Sequence, residues 1–479
     1  MRNVRQYLWS ILGRFLPSFI FLAASFVLAR ILTPNDFGLV GVLAILFTVA
    51  SALTDAGLGG SLIKEKTITD TDCSTIFNFN IVISLILYVI LFFTAPWIEE
   101  YYNLDNLSMV ARLLSISFVI NAFSLVPRAL MMRRLQFKEL FEVSVLSTLS
   151  GALISIVCAF WGMGVYALVV YYLCSYATTS VMCLFWGRFR YYPVFSKASF
   201  QRMISFGIFT SISTVIYTVY ENLLSAMYGK VWGVTTAGYF YQAKKTEEAV
   251  TTALASSVGL VAFPVLADLQ DDKARFTSEM RSIMLSITGV LVPLVLLLSV
   301  YANEIIVLLY GVQWIDSAIY LKLLLFAGCF MIMENLNRSV IKSLGLGDML
   351  LKVALIKRGL GITILFIMIF VDKTLLVHAY ILCSFMGYLI NQIALSNHTG
   401  TSAVKEMLLL FKVLIPSVGL FLLFCVIHVW TNILAVELIL DAAALAVYYN
   451  VYLPIIDVNL MIELTKGLWP KFKRNNNVR

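Results

Sequence analysis

The segment YFYQAKKTEEAVTT (residues 239–252) sets Lys244, Lys245, Glu247 and Glu248 in a stretch whose flanks read as membrane-embedded helix. A charge near the bilayer centre costs about 2.5–3.5 kcal/mol on insertion scales, so four together require pairing or water. Lys244 and Glu248 stand four apart on one helix and can neutralise each other. Lys245 has no partner ahead of it at that spacing. A hydrated arc is the second arrangement, in which the lysines meet an anionic head group while Glu247 and Glu248 hold them. A shorter helix with the charges at its mouth is the third. On a helical wheel Lys244, Glu248, Thr251, Thr252, Ala255 and Gly259 share one arc, with Lys245 at its edge. Val250, Leu254 and Val261 point the other way.

Other charges pose the same choice. Arg14 lies about a third of the way into the first apolar run, where it either snorkels to the surface or lines a cavity. Arg30 and Lys230 close the first and seventh runs at equivalent places, either facing each other across an outer mouth or sitting among headgroups. Arg112 is a further cation of that kind. Asp55, Glu221 and Glu248 are the candidates for coupling to Na⁺ or H⁺, although Asp55 in TDAGLGG can equally serve a structural hydrogen bond to nearby backbone. Glu334 precedes Arg338 by one turn and reads as its salt-bridge partner, and Glu437 and Asp441 receive no transport role. The seven cysteines are scattered without metal or redox spacing, and three lone histidines make no metal cluster. No nucleophile–base arrangement stands out, so neither an enzyme nor a cofactor is expected.

The elements that position these residues are set by composition. Of 479 residues, 60% are hydrophobic and only 13% charged, with a mean hydropathy of +0.89. That is the balance of a polytopic membrane protein rather than a soluble one. Charged and Gly/Pro-rich breaks predict about fourteen spans of ~20 residues, from 8–31 to 433–456. In MRNVRQYLWSILGRFL, Arg14 interrupts the apolar run and no small-residue cleavage site follows, so an uncleaved first span is expected. One side of the membrane collects 27 of the 35 Lys and Arg residues, which predicts cytoplasmic termini. A basic face against anionic lipid accounts for the net charge of +8 without nucleic acid.

The chain repeats itself. LARILTPNDFGLVG (28–41) answers to YGKVWGVTTAGYFY (228–241), with Arg30 matching Lys230 and Gly38 matching Gly238. VPRALMMRRLQFKELFEV (126–143) answers to LNRSVIKSLGLGDMLLKV (336–353), and YYLCSY (171–176) to AYILCSF (379–385). Three matches in order at one spacing indicate duplication. With six spans per half, both halves enter from the same side, as parallel repeats about an axis along the membrane normal. The expected organisation is a six-helix lobe over 1–200, a second over 201–400, and two further helices with a basic cytoplasmic tail over 401–479.

LWSILGRF, LARILTPNDFGLVG, DAGLGGSLIK (55–64) and PRALMMRRLQFKEL (127–140) in the first half join AGYFYQAKK (237–245), FPVLADLQDD (263–272), YGVQWIDSA (310–318) and SLGLGDMLLK (343–352) in the second. As an ordered set they resemble the polysaccharide-transporter branch of the multidrug/oligosaccharidyl-lipid/polysaccharide (MOP) flippase superfamily, the Wzx-type exporters. The resemblance implies an all-α integral membrane fold, with fourteen helices in two lobes that open alternately to the two sides of a bacterial cytoplasmic membrane. It implies a cargo of short glycan on undecaprenyl pyrophosphate, destined for O-antigen, capsule or exopolysaccharide. Arg14, Arg30, Arg112, Lys230, Lys244 and Lys245 are then expected to hold the head group while the polyprenyl tail stays in lipid. Membrane lipid and a polysaccharide polymerase are the expected partners, and the chain is expected to act as a monomer. Relatives carry Asn-x-Asp in the seventh span where this chain reads Asn222-Leu223-Leu224, with Glu221 adjacent. The rival carrier, a multidrug exporter, would favour an acidic aromatic cavity. A membrane glycan polymerase would place its catalytic residues on a long outer loop, and the outer loops here are about ten residues or shorter.

Overall fold

The computed structural model describes residues 2–455, apart from 56–57, 66, 268, 270–271, 345, 400 and 432. Side chains are described except at 2–8, 10–11, 14, 64, 205–210, 213, 252–265, 267, 347–348, 373–374, 397 and 455. Among the described residues the chain is helical throughout, without a strand. The helices are α1 (Arg2–Ile31), α2 (Pro34–Asp55), α3 (Leu58–Lys64), α4 (Asp70–Tyr102), α5 (Leu107–Arg133), α6 (Phe137–Phe160) and α7 (Val165–Trp186). The second half continues with α8 (Lys197–Val231), α9 (Val234–Ala267), α10 (Lys273–Val300), α11 (Ala302–Tyr310), α12 (Ser317–Ser343), α13 (Gly347–Met368) and α14 (Lys373–Thr399). Outside the repeat come α15 (Ala403–Trp430), α16 (Leu434–Val447), a π-helical turn (Tyr448–Tyr452) and α17 (Leu453–Ile455).

Ten of these helices are long and apolar enough to cross a membrane: α2 run on through α3, α4 to α7, α10, α12, α14, α15 and α16. That makes the protein a multi-pass membrane protein, with ten of the expected fourteen spans established by composition. The long helices outside this set are α1, α8, α9 and α13. Glu221 sits on α8 and the Lys-Lys-Thr-Glu-Glu run on α9. Large apolar side chains such as Phe93, Phe160, Phe185 and Trp430 stand fully outward, as a lipid-facing surface requires. Local signals place the helix ends. Thr69 and Asp72 form a reciprocal capping box at the start of α4, and Asn103 ends that helix in the left-handed conformation.

Duplication is visible in the helix boundaries. Both ends of α12 are displaced from those of α5 by 210 residues (317 minus 107, 343 minus 133). α1 and α8 end at Ile31 and Val231, and α2 and α9 start at Pro34 and Val234, each displaced by 200. The α2–α9 crossing is itself two-fold. A Cβ on Gly38 would lie 1.9 Å from the Val234 carbonyl oxygen, and one on Gly238 would lie 1.8 Å from the Pro34 carbonyl oxygen. Pro34 and Val234 are also 200 apart, so the contact is isologous: each helix uses the same surface against its copy. Only glycine lets the two backbones approach this closely.

Contacts divide the chain into two compact units. The first comprises Met1–Ala249, Ile306–Ser317 and Gly361–Leu376, and the second Val250–Ile305, Ala318–Leu360 and Val377–Arg479. The first unit runs past the expected repeat boundary at residue 200 because α8 packs along α2 and the first turns of α9 cross α2 at the paired glycines. Its apolar packing includes Leu58, Leu62, Ile76 and Val126. The second unit packs around Met280, Met284, Met333, Ile341 and Leu395.

Gly238→Ala is expected to cost at least the ~1–3 kcal/mol of an overpacked core, and to lower the melting temperature and yield of the purified protein. Gly419→Ala, with nothing within 4 Å of the new methyl, is expected to leave both unchanged.

Candidate functional site

α9 presents three polar stripes at helical spacing. Tyr241, Lys245 and Glu248 (i, i+4, i+7) share one face, and Lys244, Glu247 and Thr251 (i, i+3, i+7) share the next. Gln242 and Thr246 form the third: the Gln242 amide donates to Ser25 Oγ at 3.0 Å, and the Thr246 and Tyr310 hydroxyls lie 2.7 Å apart. The stripe is therefore not one arc. It is divided between packing against α1, a buried charge cluster, and a hollow.

The charge cluster is dry. Lys244, with its side chain 5% exposed, lies 3.2 Å from Glu247 and 3.7 Å from Glu221 on α8. Of the arrangements left open by the sequence, Lys244 adopts self-pairing within the protein, but with Glu247 and Glu221 as its carboxylates. Each lysine pairs with the glutamate three residues on. Lys245 consequently has the partner that the sequence denied it, with Nζ 2.8 Å from Glu248 Oε2. This second pair is open: the Lys245 side chain is 32% exposed. Glu221, beside Asn222, is engaged with Lys244 and nearly buried.

Lys245 lines a cavity of about 150 Å³ together with Tyr172, Tyr176, Tyr241, Asn222 and Ser51. A smaller hollow shares Val40, Tyr172, Tyr241 and Lys245 with it and reaches Phe21 and Ser25 on α1. The Tyr172 and Tyr241 hydroxyls are 3.4 Å apart, and the Lys245 ammonium lies 5.6 Å from the Tyr241 ring centre. All of these residues belong to the first compact unit. Chemically the chamber offers one cation, aromatic faces and a few hydroxyl and amide groups, the set that holds a polar ring bearing an anionic substituent. Sequence reasoning missed the tyrosines, although Tyr172 and Tyr176 lie one turn apart in YYLCSY and Tyr241 lies in AGYFYQAKK.

The other predicted residues lie elsewhere. The Arg30 guanidinium donates to the Leu308 carbonyl at 2.7 Å. Next to it, Gln313 and Trp314 both donate to the Ala29 carbonyl at 2.7 Å, tying the end of α1 to the 306–317 segment. Lys230 donates to the Tyr101 carbonyl and covers the Tyr101 ring at 4.0 Å. Arg112 donates to the Phe92 carbonyl at 3.1 Å and covers the Phe92 ring at 4.6 Å. Each ties one helix to another rather than lining the chamber. Asp55 Oδ1 accepts from Gly59 N–H at 3.3 Å, capping the short α3. The side chain of Arg14 lies outside the described residues. Glu334 does not pair with Arg338 as expected but with Lys357 on α13, which reaches across beside Gly387.

Helices in equivalent places 200–210 residues apart, with a small polar chamber among them, are the construction of a membrane transporter. The polysaccharide biosynthesis protein family matches residues 27–319, and the chain belongs to that family. It is 22% identical over 338 residues to an uncharacterized membrane protein in the cps region of Klebsiella pneumoniae, covering 70% of both chains. It is 27% identical over 306 residues to the lipopolysaccharide biosynthesis protein WzxC of Escherichia coli K12, covering 63% of this chain and 62% of that relative. Its fold is similar to the lipid II flippase MurJ in an inward closed conformation, with a TM-score of 0.75, 14% identity, and coverage of 94% of this chain and 99% of that one.

The two lysines should separate in mutagenesis. Lys244→Met removes the ammonium that neutralises Glu221 and Glu247 in a buried site and is expected to cost about 3–5 kcal/mol, seen as lost yield and a lower melting temperature. Lys245→Ala is expected to preserve both while abolishing export of surface glycan.

Proposed function

We propose that this protein carries an undecaprenyl-pyrophosphate-linked oligosaccharide across the cytoplasmic membrane by alternating access, supplying surface polysaccharide such as O-antigen, capsule or exopolysaccharide. The observation that carries the reading is Lys245, half-open beside Tyr172 and Tyr241 in a chamber of about 150 Å³. A cavity of that volume holds one six-membered ring. In this reading the sugar nearest the pyrophosphate enters with its apolar face against the tyrosine rings, and its hydroxyls meet Asn222 and Ser51. The phosphate competes with Glu248 for Lys245. Exchanging one partner for another keeps the contact moderate, as a carrier that must release its cargo requires.

Arg14, two turns before Phe21 on α1, is the proposed second contact, and the polyprenyl tail remains in lipid. Rocking of the two halves then moves the head group across the bilayer. A Glu248 released by the phosphate is free to take Na⁺ or H⁺. The distribution of Lys and Arg supports cytoplasmic termini, which puts the turn between α15 and α16 on the outer side. A polymerase that accepts lipid-linked repeat units is the proposed recipient, and the carrier is proposed to act as a monomer. A drug exporter for organic cations would need a net acidic chamber, whereas among the described residues the charged side chain lining this one is Lys245.

Deleting the gene and analysing the lipid fraction by mass spectrometry tests the assignment. An undecaprenyl-pyrophosphate oligosaccharide is expected to accumulate. No accumulation, with altered sensitivity to cationic dyes, would support the drug-exporter class instead.

A further inference from the structure

α15 and α16 lie outside the duplicated halves, where sequence alone gives Glu437 and Asp441 no role. In the structure both are buried, and they face other titratable groups. His428 Nδ1, near the end of α15, lies 3.1 Å from Glu437 Oε2, and His428 Nε2 lies 3.8 Å from Glu304 Oε1 at the start of α11. One turn further along α16, Asp441 Oδ2 accepts from the Tyr301 hydroxyl at 2.6 Å. The Tyr301 and His428 rings meet edge to face at 5.6 Å, closing the group. All five residues belong to the second compact unit. Cys425 and Tyr449 belong to the apolar cluster around Tyr301, and the Tyr449 hydroxyl is committed to the Val290 carbonyl at 2.9 Å.

Two features point to a ligand. Asp441, 1% exposed, has an Oδ1 atom with no hydrogen-bond partner. It also lies four residues from Glu437 on one helix face, so two like charges are adjacent with little water between them. A single proton answers both: it removes one negative charge and gives Asp441 Oδ1 a hydrogen. Exposure falls steadily along the group, from 31% for the His428 side chain to 7% for Glu437 and 1% for Asp441. Asp441 lies seven residues into α16, roughly 10 Å beyond its first residue at 1.5 Å per residue. Among the described residues no three His, Cys, Asp or Glu side chains converge closely enough to hold a metal ion.

We infer that His428, Glu304, Glu437, Asp441 and Tyr301 form a proton-binding site at one end of the C-terminal helix pair, loaded through His428 and held at Asp441. Its opening to the outer side, and its service to the carrier cycle as a second proton site besides Glu248, rest on the orientation and cargo proposed above. The proton enters from water at His428, passes along Glu437, and leaves by the same route when the cluster is exposed to a higher pH. Tyr301 keeps its own hydrogen throughout, as the donor to Asp441 Oδ2.

The test is infrared difference spectroscopy of the purified full-length protein in lipid nanodiscs, titrated in pH without any glycan lipid. A carboxylic-acid C=O band that grows as pH falls is expected in the wild type and absent in Asp441→Asn. His428→Gln is expected to move its midpoint by on the order of one pH unit. Should Asp441→Asn fail to fold, Asp441→Glu must keep a band at altered frequency. A missing wild-type band, or one unchanged by substitution at Asp441, overturns the site. Because no cargo is present, either result is independent of the lipid analysis that tests the proposed function.

Discussion

A charged side chain stays in a membrane-spanning helix only where something replaces its water, and the arrangement of α9 follows from that constraint. Lys244 meets the constraint with protein: two carboxylates, one from its own helix and one from α8, in a dry setting. Lys245, the next residue, meets it with a single carboxylate and an open cavity. The first arrangement fixes α8 against α9. The second leaves a cation whose partner can be exchanged, which is the property a carrier of anions needs.

The setting of that cation depends on backbone geometry as much as on charge. The Gly38–Gly238 crossing brings the start of α9 against α2 with no side chain between them. α2 supplies Val40 and Ser51 to the chamber walls, α7 supplies Tyr172 and Tyr176, α8 supplies Asn222, and α9 supplies Tyr241 and Lys245. With Leu114, Ser117 and Phe118 of α5, five helices meet around one ammonium group. Gly38 and Gly238 hold equivalent places 200 residues apart, and the close approach on which the chamber stands uses both of them.

Much of this was legible in the sequence, for physical reasons. Helix length and apolarity follow from the bilayer, so the helices fell where the apolar runs predicted. The repeat showed through Arg30 with Lys230 and Gly38 with Gly238. Partner choice was less legible. Lys244 and Lys245 pair at a spacing of three rather than four, and Glu334 pairs with Lys357 rather than Arg338, because side-chain direction and a neighbouring helix decide between candidates of similar spacing. The tyrosine chamber was not legible at all, since Tyr172 and Tyr241 are brought together by packing and not by sequence. Asp441 was passed over because it lies outside the repeat, yet Tyr301, far away in the chain, gives it its setting.

The central claim is that Lys245, not Lys244, holds the phosphate end of the cargo. Equilibrium binding of a short-chain polyprenyl-pyrophosphate sugar to the purified carrier measures this most directly. Loss of a charge-assisted contact worth about 1.5–3 kcal/mol predicts that Lys245→Ala binds more than tenfold more weakly than wild type. Equal affinity in the wild type and Lys245→Ala, with both folded, would contradict it.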